Sequence, residues 1–493
     1  MKRPHLGTLL VLAALIGGAV LTGGRATAPV TAPVQQVEVV GATAICPDLR
    51  QSSTLLQTRI SVGAGPLPAG REGAVGRIAA RRLSGGPTRD LPVKAPGQVA
   101  VGQGTNINHD GLVYSASGEL AASVEAEQVT EGQRGPERGL AGVRCDPPGR
   151  EAWFVGGATT LGNETTLILA NIDDTPSTVD VSVFSGKGAA DPRSGQGITV
   201  PPHTRRGIPL DTLAPDLPLL TVHVTSRRGR VAAALRHSSV IGPRSLGVDW
   251  VPRTEGPATR VVVPGFPKGP GRRTLLVTNP GRDDTTVSVQ VITADGQFVP
   301  SDRDAVSVPA GTTVPLTVEA IARSSALAAV ITSDGAPVVA GGFVQDAQSG
   351  SIIWDMAYTG ATPPLSGPAL LTDLTIDRPT ESTLILTAPE ERAVVRITPI
   401  RVLGTAGGLP PPRTLTVPGG RTTTFRLSTF YRPGTKTRLA VEVTTMPGSG
   451  PVYVARYLRA RGAHGPLTTL LDLQGPAQRV PRRAVHRDPR IAA

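Results

Sequence analysis

The sequence predicts an all-β chain of tandem β-sandwiches behind an N-terminal apolar helix. Three observations carry that prediction: short β-branched runs with a period of two, turn residues between them, and recurrence of the whole pattern about every 108 residues. The clearest copy lies between Arg272 and Gly342. Thr274-Leu-Leu-Val-Thr-Asn279 and Thr286-Val-Ser-Val-Gln-Val-Ile292 read as strands joined across a Pro-Gly turn. Val306-Ser-Val308-Pro-Ala-Gly311 reads as a corner, and Leu327-Ala-Ala-Val-Ile-Thr332 with Val338-Val-Ala-Gly-Gly-Phe343 as a hairpin across Asp334-Gly335. Alternation puts the apolar residues of each strand on one face, and two such faces closed on each other make an Ig-like or fibronectin-III-like sandwich.

The same order of events precedes this copy. Asn171 stands 108 residues before Asn279, and Val200-Pro201 stands 108 before Val308-Pro309. A third clear copy follows, with Thr383-Leu-Ile-Leu-Thr387, Ala393-Val-Val-Arg-Ile-Thr398 and the corner Leu415-Thr-Val417-Pro-Gly-Gly420. Each copy closes on a further strand, at Leu246–Trp250, Ile352–Trp354 and Leu467–Leu471. Read backwards from its closing strand, the first part of the chain gives a fourth, degenerate copy. Leu112-Val-Tyr-Ser115, Leu120-Ala-Ala-Ser-Val124 and Leu140-Ala-Gly-Val-Arg-Cys145 follow the same order, with Leu91-Pro-Val93 as a weak corner. The predicted boundaries are 37–150 for the degenerate unit, then 151–257, 258–366 and 367–475. Helix is confined to one or two turns at Ile78–Leu83 and Glu319–Arg323. Contiguous copies without long linkers predict a rod or curved stack.

The ends of the chain carry its address. Met1-Lys2-Arg3 precedes an uncharged apolar run, Leu6–Leu21, so residues 1–28 read as an export signal. Ala26-Thr27-Ala28 is a small-residue cleavage site, yet Pro29 beyond it disfavours cleavage, so a signal peptide and a membrane-spanning signal anchor both stand. Either places the bulk of the chain outside the cytoplasm, secreted or anchored through Leu6–Leu21. Residues 29–36 read as a tether, and 476–493, with five arginines and one acid, as a basic disordered tail. The two cysteines, Cys46 and Cys145, are predicted to form a disulfide, since an even count outside the cytoplasm favours pairing. They would staple the unit whose own pattern is weakest.

Composition excludes more than it assigns. The net charge of +12 is carried by arginine, with five lysines among 50 basic residues. Scattered through domains, this reads as compositional bias, and nucleic acid is not expected as a partner of an exported chain. The tail residues Arg479, Arg482, Arg483, Arg487 and Arg490 are candidates for contact with an anionic surface. No nucleophile elbow, zinc-protease helix motif or phosphate loop occurs, and the seven histidines are isolated from one another. Asp173-Asp174, Asp283-Asp284 and Glu390-Glu391 recur at one turn, and Asn106–Asp110 could add oxygens. Too few ligands are supplied for calcium, so these are read as solvated turns. Trp153, Trp250 and Trp354 are read as filling cores or seams rather than stacking on sugars. No catalytic, cofactor or metal residues are assigned.

Val39-Val-Gly-Ala-Thr-Ala-Ile-Cys46-Pro-Asp-Leu, Gly142-Val-Arg-Cys145 and Trp153-Phe-Val-Gly-Gly157 resemble a family of exported actinobacterial proteins of unknown function. The resemblance implies a cell-envelope setting and brings no site residues. The expected function is a non-enzymatic extracytoplasmic scaffold or binding module for a wall polymer or envelope protein. The alternative is an envelope carbohydrate-active enzyme or its accessory module, built on a carboxylate pair.

Overall fold

The computed structural model describes residues 34–47, 56–66, 76–104, 110–347, 354–374, 380–405, 407–431, 438–475 and 479–483. Two compact units result. In the smaller, Val34–Glu38 pairs antiparallel with Arg479–Arg483, Val34 opposite Arg483 and Glu38 opposite Arg479. The expected tether and disordered tail thus each contribute a strand. Backbone pairing, which composition does not report, sets that local order.

The larger unit, Val39–Gln478, is all β in the predicted sense. In the best-patterned copy one sheet runs Arg260–Phe266, Leu327–Ser333, Thr285–Ile292, Val306–Val308. The other runs Thr313–Thr317, Gly271–Thr278, Val339–Ala347, Trp354–Gly360. The inward faces supply the core, with Leu275, Val277, Val287, Val289, Leu327 and Ile331 all buried. The degenerate first copy has the same strand order. Gly41–Cys46, Leu112–Gly118, Gly76–Arg82 and Arg89–Asp90 face Gln98–Gly104, Leu56–Ala64, Val124–Gly132 and Gly139–Arg144. The second and fourth repeat it, ending on Arg244–Val251 and Gly465–Leu473.

The recurring residues have a physical reason. Asn171 Nδ2 donates to the carbonyls of Thr175 (2.8 Å) and Val200 (3.0 Å), and Asn279 Nδ2 to those of Asp283 (2.8 Å) and Val308 (3.0 Å). Each fully buried amide holds the turn after its strand against the Val-Pro corner, donating to one carbonyl of each. The disulfide forms as predicted, Cys46 to Cys145 across 99 residues, and joins the two sheets of the first sandwich inside its core.

Two local expectations are corrected. Ile78–Leu83 is not helical: Gly76–Arg82 is a strand between Leu112–Gly118 and Arg89–Asp90. Burial of Ile78 and Ala79 in the sheet overrides the helical preference of an Ala-Arg-Leu run. Leu120–Ser123, read as strand, forms a 3-10 turn, Glu119–Ser123, before the strand begins at Val124. Glu319–Ala322 is the single helical turn expected.

The sandwiches do not form a rod. Their last strands, Gly139–Arg144, Arg244–Val251, Trp354–Gly360 and Gly465–Leu473, converge at one centre. The seams repeat head to tail. Ser185 of the second sandwich bridges Thr312 of the third, and Thr422 N of the fourth donates to Thr293 O of the third at 2.9 Å. Val402 of the fourth then bridges Val99 of the first, while Leu83 of the first packs on Ala170 and Ala232 of the second. A head-to-tail contact that returns to its starting unit closes a ring.

Candidate functional site

Each converging strand is the edge of its sheet, so burying it strands backbone N–H groups that need acceptors. Two carboxylates supply them. Asp249 Oδ1, from the second sandwich, accepts from Gly142 N of the first (3.1 Å) and from Thr469 Oγ1 of the fourth (2.9 Å). Asp355 Oδ2, from the third, accepts from Leu140 N of the first (3.2 Å) and Thr468 N of the fourth (2.7 Å). All four sandwiches therefore meet on two side chains. Both aspartates are completely buried, and that burial drives both acids well above the usual carboxylate range. Their hydrogen bonds, and Arg138 beside Asp355, oppose the shift without cancelling it.

A second ring of polar ties surrounds the centre, and it comes from the penultimate strands. Arg236 of the second sandwich pairs with Glu137 of the first. His237 Nδ1 meets Tyr358 Oη of the third at 2.5 Å, with Nε2 on Asn163 Oδ1 at 3.2 Å. Burial, then Arg236, holds the His237 pKa down to about 3, so the ring is neutral. Tyr457 of the fourth donates to Asp346 of the third, which also pairs with the fully buried Arg273. Between fourth and first, Arg456 Nη1 donates to Glu127 Oε2 at 3.2 Å, and Thr372 Oγ1 reaches the same oxygen at 3.1 Å. Every seam carries one such tie.

The sequence-derived candidates are distributed rather than gathered. Trp250 is buried with Ala141 and Ile168 at the seam of the first two sandwiches. Trp153 is buried with Leu276 and Val339 at the next seam, stacked 3.7 Å from the His223 ring. The side chain of Trp354, residues 105–109, the apolar run Leu6–Leu21, Arg487 and Arg490 lie outside the described residues, as do the side chains of Arg479, Arg482 and Arg483. The acidic turn pairs are engaged separately: Asp173 with Arg230, Asp174 with His203, Asp284 with the backbone N of Ala310, Glu390 with Arg260. Among the described residues no group of three or more His, Cys, Asp or Glu is placed to hold a metal ion.

Asp249 and Asp355 escaped the sequence reading, although a signal exists. Each sits in an apolar closing strand, Gly-Val-Asp-Trp and Trp-Asp-Met, where a carboxylate is out of place unless something buried needs it. Chemically the two are sealed ties. A carbohydrate-active site needs carboxylates that substrate and water can reach, and these two reach neither.

The model of a family described as a family of unknown function, DUF5719, matches residues 97–428, about two thirds of the chain. The curated proteins contain no match.

Proposed function

The chain belongs to the DUF5719 family of unknown function, and we propose that it is a non-enzymatic binding scaffold of the cell envelope. The observation carrying this reading is the ring centre, where the most deeply buried acids are committed to holding four sandwiches together. A locked ring presents loops and sheet faces in a fixed arrangement, which lowers the ordering cost of binding. The disulfide supports an oxidising, extracytoplasmic setting. In this proposal Leu6–Leu21 is a signal peptide or membrane anchor, as its sequence suggests. No helix among the described residues is long and apolar enough to cross a membrane.

The partner proposed is a wall polymer or an envelope protein, with the arginine tail as a further contact for an anionic surface. The test is co-sedimentation of the full chain with purified wall polymer, alongside cross-linking in intact cells. Saturable retention by the polymer, or one envelope protein recovered in fixed proportion, is expected. Neither outcome, or turnover of a wall glycan by the purified chain, overturns the reading.

A further inference from the structure

The third sandwich has a cleft of about 690 Å³, in the range of small-molecule sites. Its open apolar walls are Pro300, Ala320 and Ile321, with the buried Leu316 and Val318 at the base and the core residues Val289 and Val291 behind them. The repeat shows why space remains here. Where the third sandwich places Leu316, Val318, Ile321 and Ala322, the fourth places Phe425, Leu427, Phe430 and Tyr431, which pack on the core of that unit. The second places Ile208, Leu210, Leu213 and Ala214 there, close to the third in size. Against the fourth, the third carries smaller side chains at the lining positions Leu316, Val318 and Ile321, which leaves room at this end of the sandwich.

The mouth is charged and its lip is apolar. Arg303 lines the cleft with its side chain 19% exposed, held at 3.0 Å by Asp302, which is itself 68% exposed. Arg323 also lines the cleft, paired with Glu319 at 2.6 Å. An exposed neighbouring carboxylate binds an arginine weakly, so an anion entering the cleft can take its place while Asp302 turns to water. Phe298 and Val299, both exposed, lead into Pro300 at the edge of the cleft. An apolar floor beneath an inset guanidinium complements a ligand with an apolar body and an anionic end.

We propose that this cleft binds a single acyl chain carrying an anionic head group, the chain against Pro300, Leu316, Ala320 and Ile321 and the head on Arg303. The proposal stands independently of the scaffold reading. The test is isothermal titration of the full chain with dodecanoate and dodecyl phosphate below their micelle concentrations, against dodecanol and dodecyltrimethylammonium. One saturable site for either anion is expected, with the cation excluded. Arg303→Gln should weaken the anions by about tenfold or more and leave dodecanol unchanged, as expected for loss of a charge-assisted hydrogen bond. Ile321→Phe, the residue that the fourth sandwich carries at this position, should weaken anions and dodecanol together. Circular dichroism reports whether each variant folds. No saturable anion binding, equal binding of the cation, or an Arg303→Gln variant that binds dodecanoate as before overturns the proposal.

Discussion

Asp249 and Gly142 join the closing strands of successive sandwiches: the Gly142 N–H donates to Asp249 Oδ1 at 3.1 Å. The Ser245 hydroxyl donates to the Arg138 carbonyl across the same seam at 2.9 Å. Both contacts lie where the closing strands of all four sandwiches meet, so the centre of the ring is built from the last strand of each repeat.

The axial acids make stability depend on pH in a definite direction. Their folded pKa values lie above the unfolded value of about 3.9, so the folded state binds more protons between the two. Their contribution is whole below that unfolded value and lost as pH rises through the raised folded values. Asp249→Asn keeps Oδ1 as an acceptor for Gly142 and removes the titration. Urea midpoints across pH 5–9 should fall less steeply for the variant than for the wild type. Asp249→Leu, which leaves the Gly142 and Thr469 donors without that acceptor, should lower stability by about 1–3 kcal/mol at pH 5, a deficit that narrows as rising pH destabilises the wild type.

His237 acts in the opposite sense. With a folded pKa of about 3 against an unfolded value near 6.5, it costs stability as pH falls through that window. The limit is about 5 kcal/mol, reached only at the acid end. The His237 ring resonances should not shift between pH 8 and 5. A titration midpoint near 6.5 would show the ring to be open to water.

Arg456 tests the seam where the ring closes. Arg456→Ala leaves Glu127 buried without its cation and should cost about 3–5 kcal/mol in chemical denaturation. Adding Glu127→Leu to Arg456→Met should recover most of that loss, because a packed apolar pair needs no compensation.

The disulfide should contribute about 2–4 kcal/mol through the 99-residue separation it closes. Replacing Cys46 and Cys145 together by Ala should lower the unfolding free energy measured in urea by that amount. Its effect should fall first on the first sandwich, as hydrogen exchange of Leu112–Gly118 would show.

The fold was legible wherever burial alternates strictly. Val287, Val289 and Val291 face one core, and the repeated Asn and Val-Pro positions proved to be partners in one hydrogen-bonded corner. The degenerate first copy was legible from its closing strands, since Leu140 and Cys145 keep the register that the others have. The ring was not legible, because its closure joins Val99 to Val402, and no local pattern encodes a contact about 300 residues long. Ile78–Leu83 misled for a related reason: a short Ala-Arg run takes its conformation from the strands beside it. The axial site was half legible. The closing strands were found, but the meaning of a lone Asp within each depends on edges supplied by other repeats.

Closure of the ring is the central claim, and a cysteine pair tests it most directly. Val99→Cys with Val402→Cys places one thiol in the first sandwich opposite one in the fourth. Oxidation should give an intramolecular disulfide in monomeric protein, seen as a single cross-linked peptide joining the two positions. A chain that stays reduced there, or that cross-links only between molecules, would contradict the ring and restore the extended stack.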